Sequence, residues 1–222
     1  MELVSTPSLG SLIFRGSADL DDLRRFLERL ERAGSPEVRL LSRDDVLAVY
    51  GCTQAPRGLT DGIPVVLVMR GWSLAETPVE PVDVTVLARS LLDRLARISD
   101  DERELVLPDV TAMAAWTGVL PPVEGWRSAG EIDAGSLARV AREGSERVAA
   151  ALPDNPGEAV VHKVRSSVWG LEMAPGIPAA AAFAAETMGF LSGAETVRVS
   201  RTVTWVRLSS GHGHVVVRAL LG

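Results

Sequence analysis

The sequence of 222 residues holds one cysteine, Cys52, one tyrosine and one lysine, Lys163. A lone cysteine excludes an intrachain disulfide, and no N-terminal stretch joins a basic head to an apolar run and a small-residue cleavage site. Both point to a reducing cytoplasm. The longest apolar run, residues 177–191, is interrupted by Glu186 and is shorter than the roughly 20 residues of a membrane-spanning helix. Excess positive charge is also missing. A formal net charge of −6 disfavours charge-driven adhesion to nucleic acid or anionic lipid, which needs a basic field. The phosphate-cradling G-x-x-x-x-G-K-S/T, a G-x-G-x-x-G between strand and helix, and a paired-histidine zinc helix are all absent. Gly125-Trp-Arg-Ser128-Ala-Gly130 has the serine and final glycine of a nucleophile elbow. Trp126, however, stands where the first glycine is required.

What is present is apolar surface: 46% of the residues, enough for a substantial core without disulfides or metals to staple it. The preference for Arg, Ala, Val and Gly over Lys fits a GC-rich genome. Charge is unevenly spread. Residues 1–120 carry 13 basic and 19 acidic side chains, and residues 121–222 carry 10 of each. The change coincides with a Pro- and Gly-rich stretch, residues 121–130. The expected organisation is an acidic N-terminal lobe (1–120), this connection, and a C-terminal lobe (131–222), an arrangement that also fits one compact domain.

Hydrophobic periodicity predicts an α+β fold, with mixed or antiparallel sheets packed against helices, in two similar-sized lobes. Leu20, Leu23, Phe26, Leu27 and Leu30 form one helical stripe, capped by Asp19 and ended by Gly34 and Pro36. Residues 37–41, 46–53 and 63–69 read as strands. Helices are expected over 83–98, over 109–117 and from Asp133 or Ser136 to Leu152. Residues 158–169 alternate and are β-branched, which predicts a strand; residues 178–191 follow as a helix. A C-terminal β-hairpin pairs 196–208 with 214–221 across a Ser-Ser-Gly-His-Gly loop. No repeat of fixed period is present.

Two groups of side chains could carry chemistry. His212 and His214 share one side of an extended chain, and His162 on another predicted strand could add a third nitrogen to a metal site. The alternative is a glycine-rich hairpin tip whose histidines sit in water. No cysteine or carboxylate stands at a ligand spacing, so the residues commit to no metal and no cofactor. In the second group, Lys163, Arg165 and Trp169 share one parity, and Arg201, Trp205 and Arg207 share another. Guanidinium groups beside indole rings suit a carboxylate, a phosphate or an aromatic ring. They equally suit ordinary stacking on a solvated sheet face, and the shared parity of Val197, Val199 and Val203 implies that part of this face is packed. Cys52 reads as a buried structural thiol, and Glu186 as the exposed side of its helix.

The segments Val119-Leu-Pro-Pro-Val-Glu-Gly-Trp-Arg127, Val168-Trp-Gly170, Ala181-Ala-Phe-Ala-Ala-Glu-Thr-Met-Gly-Phe-Leu191 and Trp205-Val-Arg-Leu-Ser-Ser-Gly-His-Gly-His-Val215 resemble uncharacterised proteins of high-GC Gram-positive (actinobacterial) bacteria. The resemblance carries no activity, cofactor or catalytic residue. It implies a bacterial cytosolic setting.

Two functions remain open on these residues. One is a non-enzymatic binding or assembly protein that meets a protein partner, or a copy of itself, through the C-terminal Trp/Arg face of Arg165, Trp169, Arg201, Trp205 and Arg207 with His162, His212 and His214. The other is an enzyme or binding protein for a small anionic ligand, with a pocket between the lobes lined by Arg165, Arg201, His162 and His214. A winged-helix nucleic-acid reader fits poorly, because the C-terminal half is charge-neutral.

Overall fold

A computed structural model describes residues 10–58, 61 and 63–218. The fold is α+β, with antiparallel strands, in two compact units. The first takes the described residues up to Gly51 together with Arg70–Gly118, and the second takes those of Cys52–Met69 and those from Val119 onward.

In chain order the first unit contains β1 (Ser11–Ile13), α1 (Ser17–Arg32), β2 (Glu37–Arg43), most of β3 (Val46–Gln54), the second half of β4 (Val66–Ser73), β5 (Asp83–Leu87), α2 (Ala88–Leu95) and β6 (Glu104–Val106). β2 lies between β5 and β3, and β1 pairs with β6. The predicted stripe of α1 is its buried face: Leu20, Leu23, Phe26, Leu27 and Leu30 are all at most 3% exposed. Burial of each such side chain contributes about 1.5–3 kcal/mol before entropy is counted. Phe26 meets the edge of Trp72 at 5.7 Å, and the Trp72 indole N–H donates to Asp22 at 3.0 Å. The same Asp22 carboxylate holds Arg70 at 2.6 Å.

Three expectations fail in this unit. The α1 N-cap is Gly16, and Asp19 lies in the first turn, where its charge favours the helix dipole without capping. Residues 83–87 are strand: Val84 and Val86 alternate inward and pair with Leu40 and Val38 of β2. The period-2 burial of two valines outweighs the helical stripe, which begins only at Ala88. Residues 109–117 form no α-helix. The amide of Ala112 instead donates to Thr85 of β5 at 2.8 Å, leaving one 3-10 turn at Ala115–Gly118.

The second unit contains the first half of β4, then β7 (Arg127–Asp133), α3 (Ala134–Ala151), α4 (Glu158–Trp169), β8 (Glu172–Ala174), β9 (Ile177–Pro178), α5 (Ala179–Thr187), β10 (Thr196–Arg201), β11 (Trp205–Ser210) and β12 (Gly213–Arg218). The strand order is β4-β12-β11-β10-β7, antiparallel throughout. Asp133 caps α3 as expected, accepting the Ser136 amide at 2.7 Å. Four residues of the Pro/Gly-rich stretch, 127–130, are strand. The connectivity also repeats once: a helix followed by three consecutive strands occurs as α1-β2-β3-β4 and again as α5-β10-β11-β12.

The predicted strand over 158–169 is helix α4. Pro156-Gly157 starts it, the amides of Val160 and Val161 close on the Gly157 carbonyl, and Glu158 stands in its first turn. Val161, Val164 and Val168 are spaced for a helix, while Val160, Val164 and Val168 share one parity of a strand, and packing decides between the two. Trp169 is 3% exposed, stacked on Phe183 of α5 at 4.6 Å. The predicted C-terminal hairpin is present as β11–β12, and β10 extends it into a three-stranded meander. Thr202 turns the chain by accepting the Trp205 amide on its hydroxyl at 3.1 Å, which splits 196–208 into β10 and β11. The β11–β12 connection is two residues, since Ser210 pairs with Gly213. Residues 219–221 of the expected last strand lie outside the described residues.

A methyl group at Gly144 of α3 would run into the Trp169 ring. Alanine for glycine inside a helix ordinarily stabilises by about 0.5–1 kcal/mol. Here Gly144→Ala is expected to destabilise by about 1–3 kcal/mol, read as a lower midpoint in urea unfolding; a raised midpoint would show that the ring is free to move away.

Candidate functional site

Helix α4 carries His162, Arg165 and Trp169; at helical spacing Arg165 and Trp169 both reach the Phe183 ring of α5, while His162 is held apart by Asp61. Trp169 enters the core. The Arg165 guanidinium lies over the Phe183 ring, 5.7 Å from its centre. His162 Nε2 meets Asp61 Oδ2 at 3.0 Å, with the Ser166 hydroxyl 3.5 Å from the same nitrogen. Asp61, not anticipated from the sequence, also accepts the amides of Arg57 at 3.1 Å and Ile63 at 3.4 Å. Those bonds, the one from Arg57 first, hold its carboxyl below the ordinary carboxylate value, with His162 adding to the effect. Serine, histidine and aspartate together suggest a hydrolase triad, yet a triad uses the two imidazole nitrogens for different partners. Here both partners approach Nε2. The arrangement fastens Asp61 and the amides it holds to α4; it does not activate a nucleophile.

The second cluster lies on the sheet. The Thr202 turn intervenes between Arg201 and Arg207, so parity cannot be carried through it. Arg201 pairs with Val206, while Arg207 pairs with Ser200, which sets the two arginines on opposite faces. Val197 and Val199 share the Arg201 face, and with Val206, Leu208, Val215 and Val217 they are buried. Arg201 is spent locally, donating from Nη2 to the Pro175 carbonyl. The other face carries Arg198, Ser200, Trp205, Arg207, Ser209, His214 and Arg218. Trp205 is 3% exposed and therefore offers no ring to a partner. Its place is taken by Trp126, just before β7, whose ring lies 4.3 Å from the Arg207 guanidinium carbon. The Trp126 N–H is tied to the Pro122 carbonyl at 2.8 Å.

His214 sits in this face with Nδ1 hydrogen-bonded to the buried Ser209 hydroxyl at 2.8 Å. Burial, and then the positive charges of Arg207 and Arg198, push its pKa down from 6.5 to about 4. At neutral pH it is an uncharged imidazole and adds nothing to anion binding. His212 is exposed at the turn, where its backbone amide donates to Ser210. The three histidines are thus divided among a helix, a turn and a sheet. Among the described residues no group of three or more His, Cys, Asp or Glu side chains could hold a metal ion.

An open cavity of about 580 Å³ lies at the β10–β11 turn, lined by Pro122, Glu124, Arg127, Arg201 and Val203 among others. It includes Arg201 of the expected anion pocket but not His162, Arg165 or His214. Cys52 is half-buried, with its thiol donating to the Gln54 carbonyl at 3.2 Å. Glu186 is exposed. No helix among the described residues is long and apolar enough to cross a membrane. The sequence signal for Trp126 was its place beside Arg127 in a segment otherwise built for turns; Asp61 had no signal beyond its charge.

Two family models match the chain, Domain of unknown function DUF8010 over residues 8–118 and Domain of unknown function DUF8185 over residues 121–221. No curated protein matches at a significant level. Among solved structures, the DNA polymerase sliding clamp of Caulobacter crescentus is similar with a TM-score of 0.53 and 14% identity, over 96% of this chain and 66% of that one. The DNA polymerase III subunit beta of Pseudomonas aeruginosa gives 0.51 and 17%, over 96% and 65%. A sliding clamp of Bartonella birtlesii, bound to griselimycin, gives 0.52 and 13%, again over 96% and 65%. The chain spans just under two thirds of these proteins. At such identities the likeness establishes a clamp-like fold.

The depressed pKa of His214 predicts an acid-sensitive window. The unfolded chain takes up a proton near 6.5 that the folded chain refuses until about 4. Stability is therefore complete above the upper value and falls as pH drops towards the lower one, by about 3 kcal/mol in all. His214→Gln, which retains a polar group without titrating, is expected to flatten that window in urea unfolding at about pH 7 and about pH 4.5. An unchanged difference between the two pH values would place the acid sensitivity elsewhere.

Proposed function

We propose, for a chain that belongs to the DUF8010 domain family through residues 8–118, a non-enzymatic binding or assembly role in which the second unit's sheet supplies the contact surface through Arg207 and Trp126. The observation that carries this reading is the stack itself, a guanidinium held 4.3 Å from an indole on a strand face. Arginine and tryptophan in such rigid pairs are the residue types that dominate binding energy at protein interfaces. The clamp-like fold supports it too, since the similar structures are named as sliding clamps of DNA polymerase. The polar groups that an enzyme would need are committed to structural bonds: His162 to Asp61, His214 to Ser209 and Arg201 to Pro175. The partner is a protein or a second copy of the chain, because the net charge of −6 opposes nucleic acid. The setting is the cytoplasm of a high-GC Gram-positive bacterium, as the sequence resemblance implies.

Native mass spectrometry of the protein from such a host, beside a denatured aliquot, is expected to show a second copy or a bound protein and no retained small molecule. A retained anionic ligand would overturn the reading in favour of the binding-protein or enzyme alternative, and retained DNA would overturn the choice of partner. Arg207→Ala and Trp126→Ala are each expected to weaken the complex about tenfold or more with the circular dichroism spectrum intact. Undiminished association in both variants would remove this surface from the account.

A further inference from the structure

β5 ends its sheet: β2 lies on one side, and among the described residues no strand is paired on the other. The Ser42 amide donates to the Val82 carbonyl at one end of the β2–β5 ladder, and the Ala88 amide donates to the Pro36 carbonyl at the other. Hydrogen bonding alternates along an antiparallel strand, so Val84 and Val86 face β2 with their backbone groups, and Asp83, Thr85 and Leu87 turn theirs outward. A row of outward N–H and C=O groups is a template for pairing with another chain. The strand itself, Asp-Val-Thr-Val-Leu, contains neither the lysine nor the proline that commonly blunts such an edge.

Residues 107–118 run along this open side. Leu107 and Pro108 are buried, the Leu107 amide donates to the Gly10 carbonyl at 2.9 Å, and Asp109 meets Arg94 of α2 at 3.4 Å. Midway, the Ala112 amide donates to the Thr85 carbonyl at 2.8 Å, and this is the segment's one backbone bond to β5 among the described residues. From Thr111 to Trp116 exposure alternates as along a strand: Thr111, Met113 and Ala115 face water, while Ala112, Ala114 and Trp116 are half-buried. A side chain fastens the far end. Arg39 of β2, opposite Thr85 in register, donates from Nε to Asp83 Oδ1 at 2.9 Å and from Nη1 to the Thr117 carbonyl at 2.8 Å.

We infer that residues 107–118 are a guard over an edge strand: they fill the place beyond β5 and deny it to a strand from any other chain, with Ala112 as the one rung and Arg39 as the pin. Pro108 before the alternating stretch and the 3-10 turn at Ala115–Gly118 after it keep the segment from becoming a regular strand. A regular strand there would only move the open edge outward by one place. Arg39 acts through the Thr117 carbonyl and is a positioning residue. The inference concerns the first unit alone and is independent of the contact surface assigned to the second.

The test separates rung, pin and edge. Ala112→Pro removes the donated amide, Arg39→Ala removes the pin, and Asp83→Asn weakens the ion pair while leaving Arg39 its bond to Thr117. Ala112→Pro and Arg39→Ala, folded by circular dichroism, are expected to gain thioflavin T fluorescence about tenfold or more above wild type on prolonged incubation, whereas Asp83→Asn stays at the wild-type level. In Arg39→Ala the Ala112 amide is also expected to exchange about tenfold faster by NMR. Thr85→Pro takes away an outward amide without touching the β2 ladder, and Thr85→Lys puts a charge on the same edge; either one, added to Ala112→Pro or Arg39→Ala, is expected to abolish the fluorescence. Folded Ala112→Pro and Arg39→Ala variants that remain thioflavin-negative would overturn the guard. Fluorescence that persists with Thr85→Pro and Thr85→Lys would show that another surface assembles, and would overturn β5 as the guarded edge. Unchanged exchange at Ala112, or fluorescence in Asp83→Asn equal to that in Arg39→Ala, would overturn the bond to Thr117 as the pin.

Discussion

The register of the β10-β11-β12-β4 ladder is the constraint on which the second unit depends. Side chains alternate along a strand, so a slip of one residue exchanges its two faces. The Thr202 hydroxyl, by accepting the Trp205 amide, fixes where β10 ends and β11 begins. With that turn in place Val199, Leu208, Val215 and Val68 align on one face, and Ser200, Arg207, Val216 and Leu67 on the other. The first row is a continuous apolar strip worth several kcal/mol of burial. The strip pins the register, and the register in turn sets Arg207 on the opposite face.

Polar side chains in this unit are used mainly to hold backbone in place. Asp61 gathers two amides and one imidazole, Asp133 caps α3, and Glu172 accepts the Gly176 amide at the β8–β9 turn. Bonds of this kind fix turns and a helix end, so they serve folding before they are opportunities for chemistry. What remains for recognition is the surface that folding does not consume. On the sheet this is arginine, whose charge persists at any physiological pH and whose planar head stacks on Trp126.

The clamp-like fold at low identity has the same origin. A helix with an apolar stripe followed by three alternating strands can be written in many sequences, provided the spacing of buried positions is kept. Sites are grafted onto such frames by the exposed positions. The argument for function therefore rests on Arg207, Trp126 and their surroundings, with the fold supplying their placement.

Sequence by itself determined the elements whose periodicity has one interpretation: α1 with its five-residue stripe, α3 behind the Asp133 cap, the alanine-rich α5, and the existence of strands near the C-terminus. It also determined the charge asymmetry between the halves. Tertiary structure decided where two periodicities compete. Residues 83–87 became strand because Val84 and Val86 had β2 to pair with, and 158–169 became helix because Trp169 had Phe183 and the space over Gly144 to fill. The site followed those decisions. Parity places side chains only within one unbroken strand, so a helix at His162 and a turn at Thr202 took His162 and Arg201 out of the grouping with Arg165 and Trp169. The pairing of Arg207 with Trp126, 81 residues apart in sequence, exists only because antiparallel pairing brings β7, β10 and β11 side by side, and no local pattern encodes such a distance.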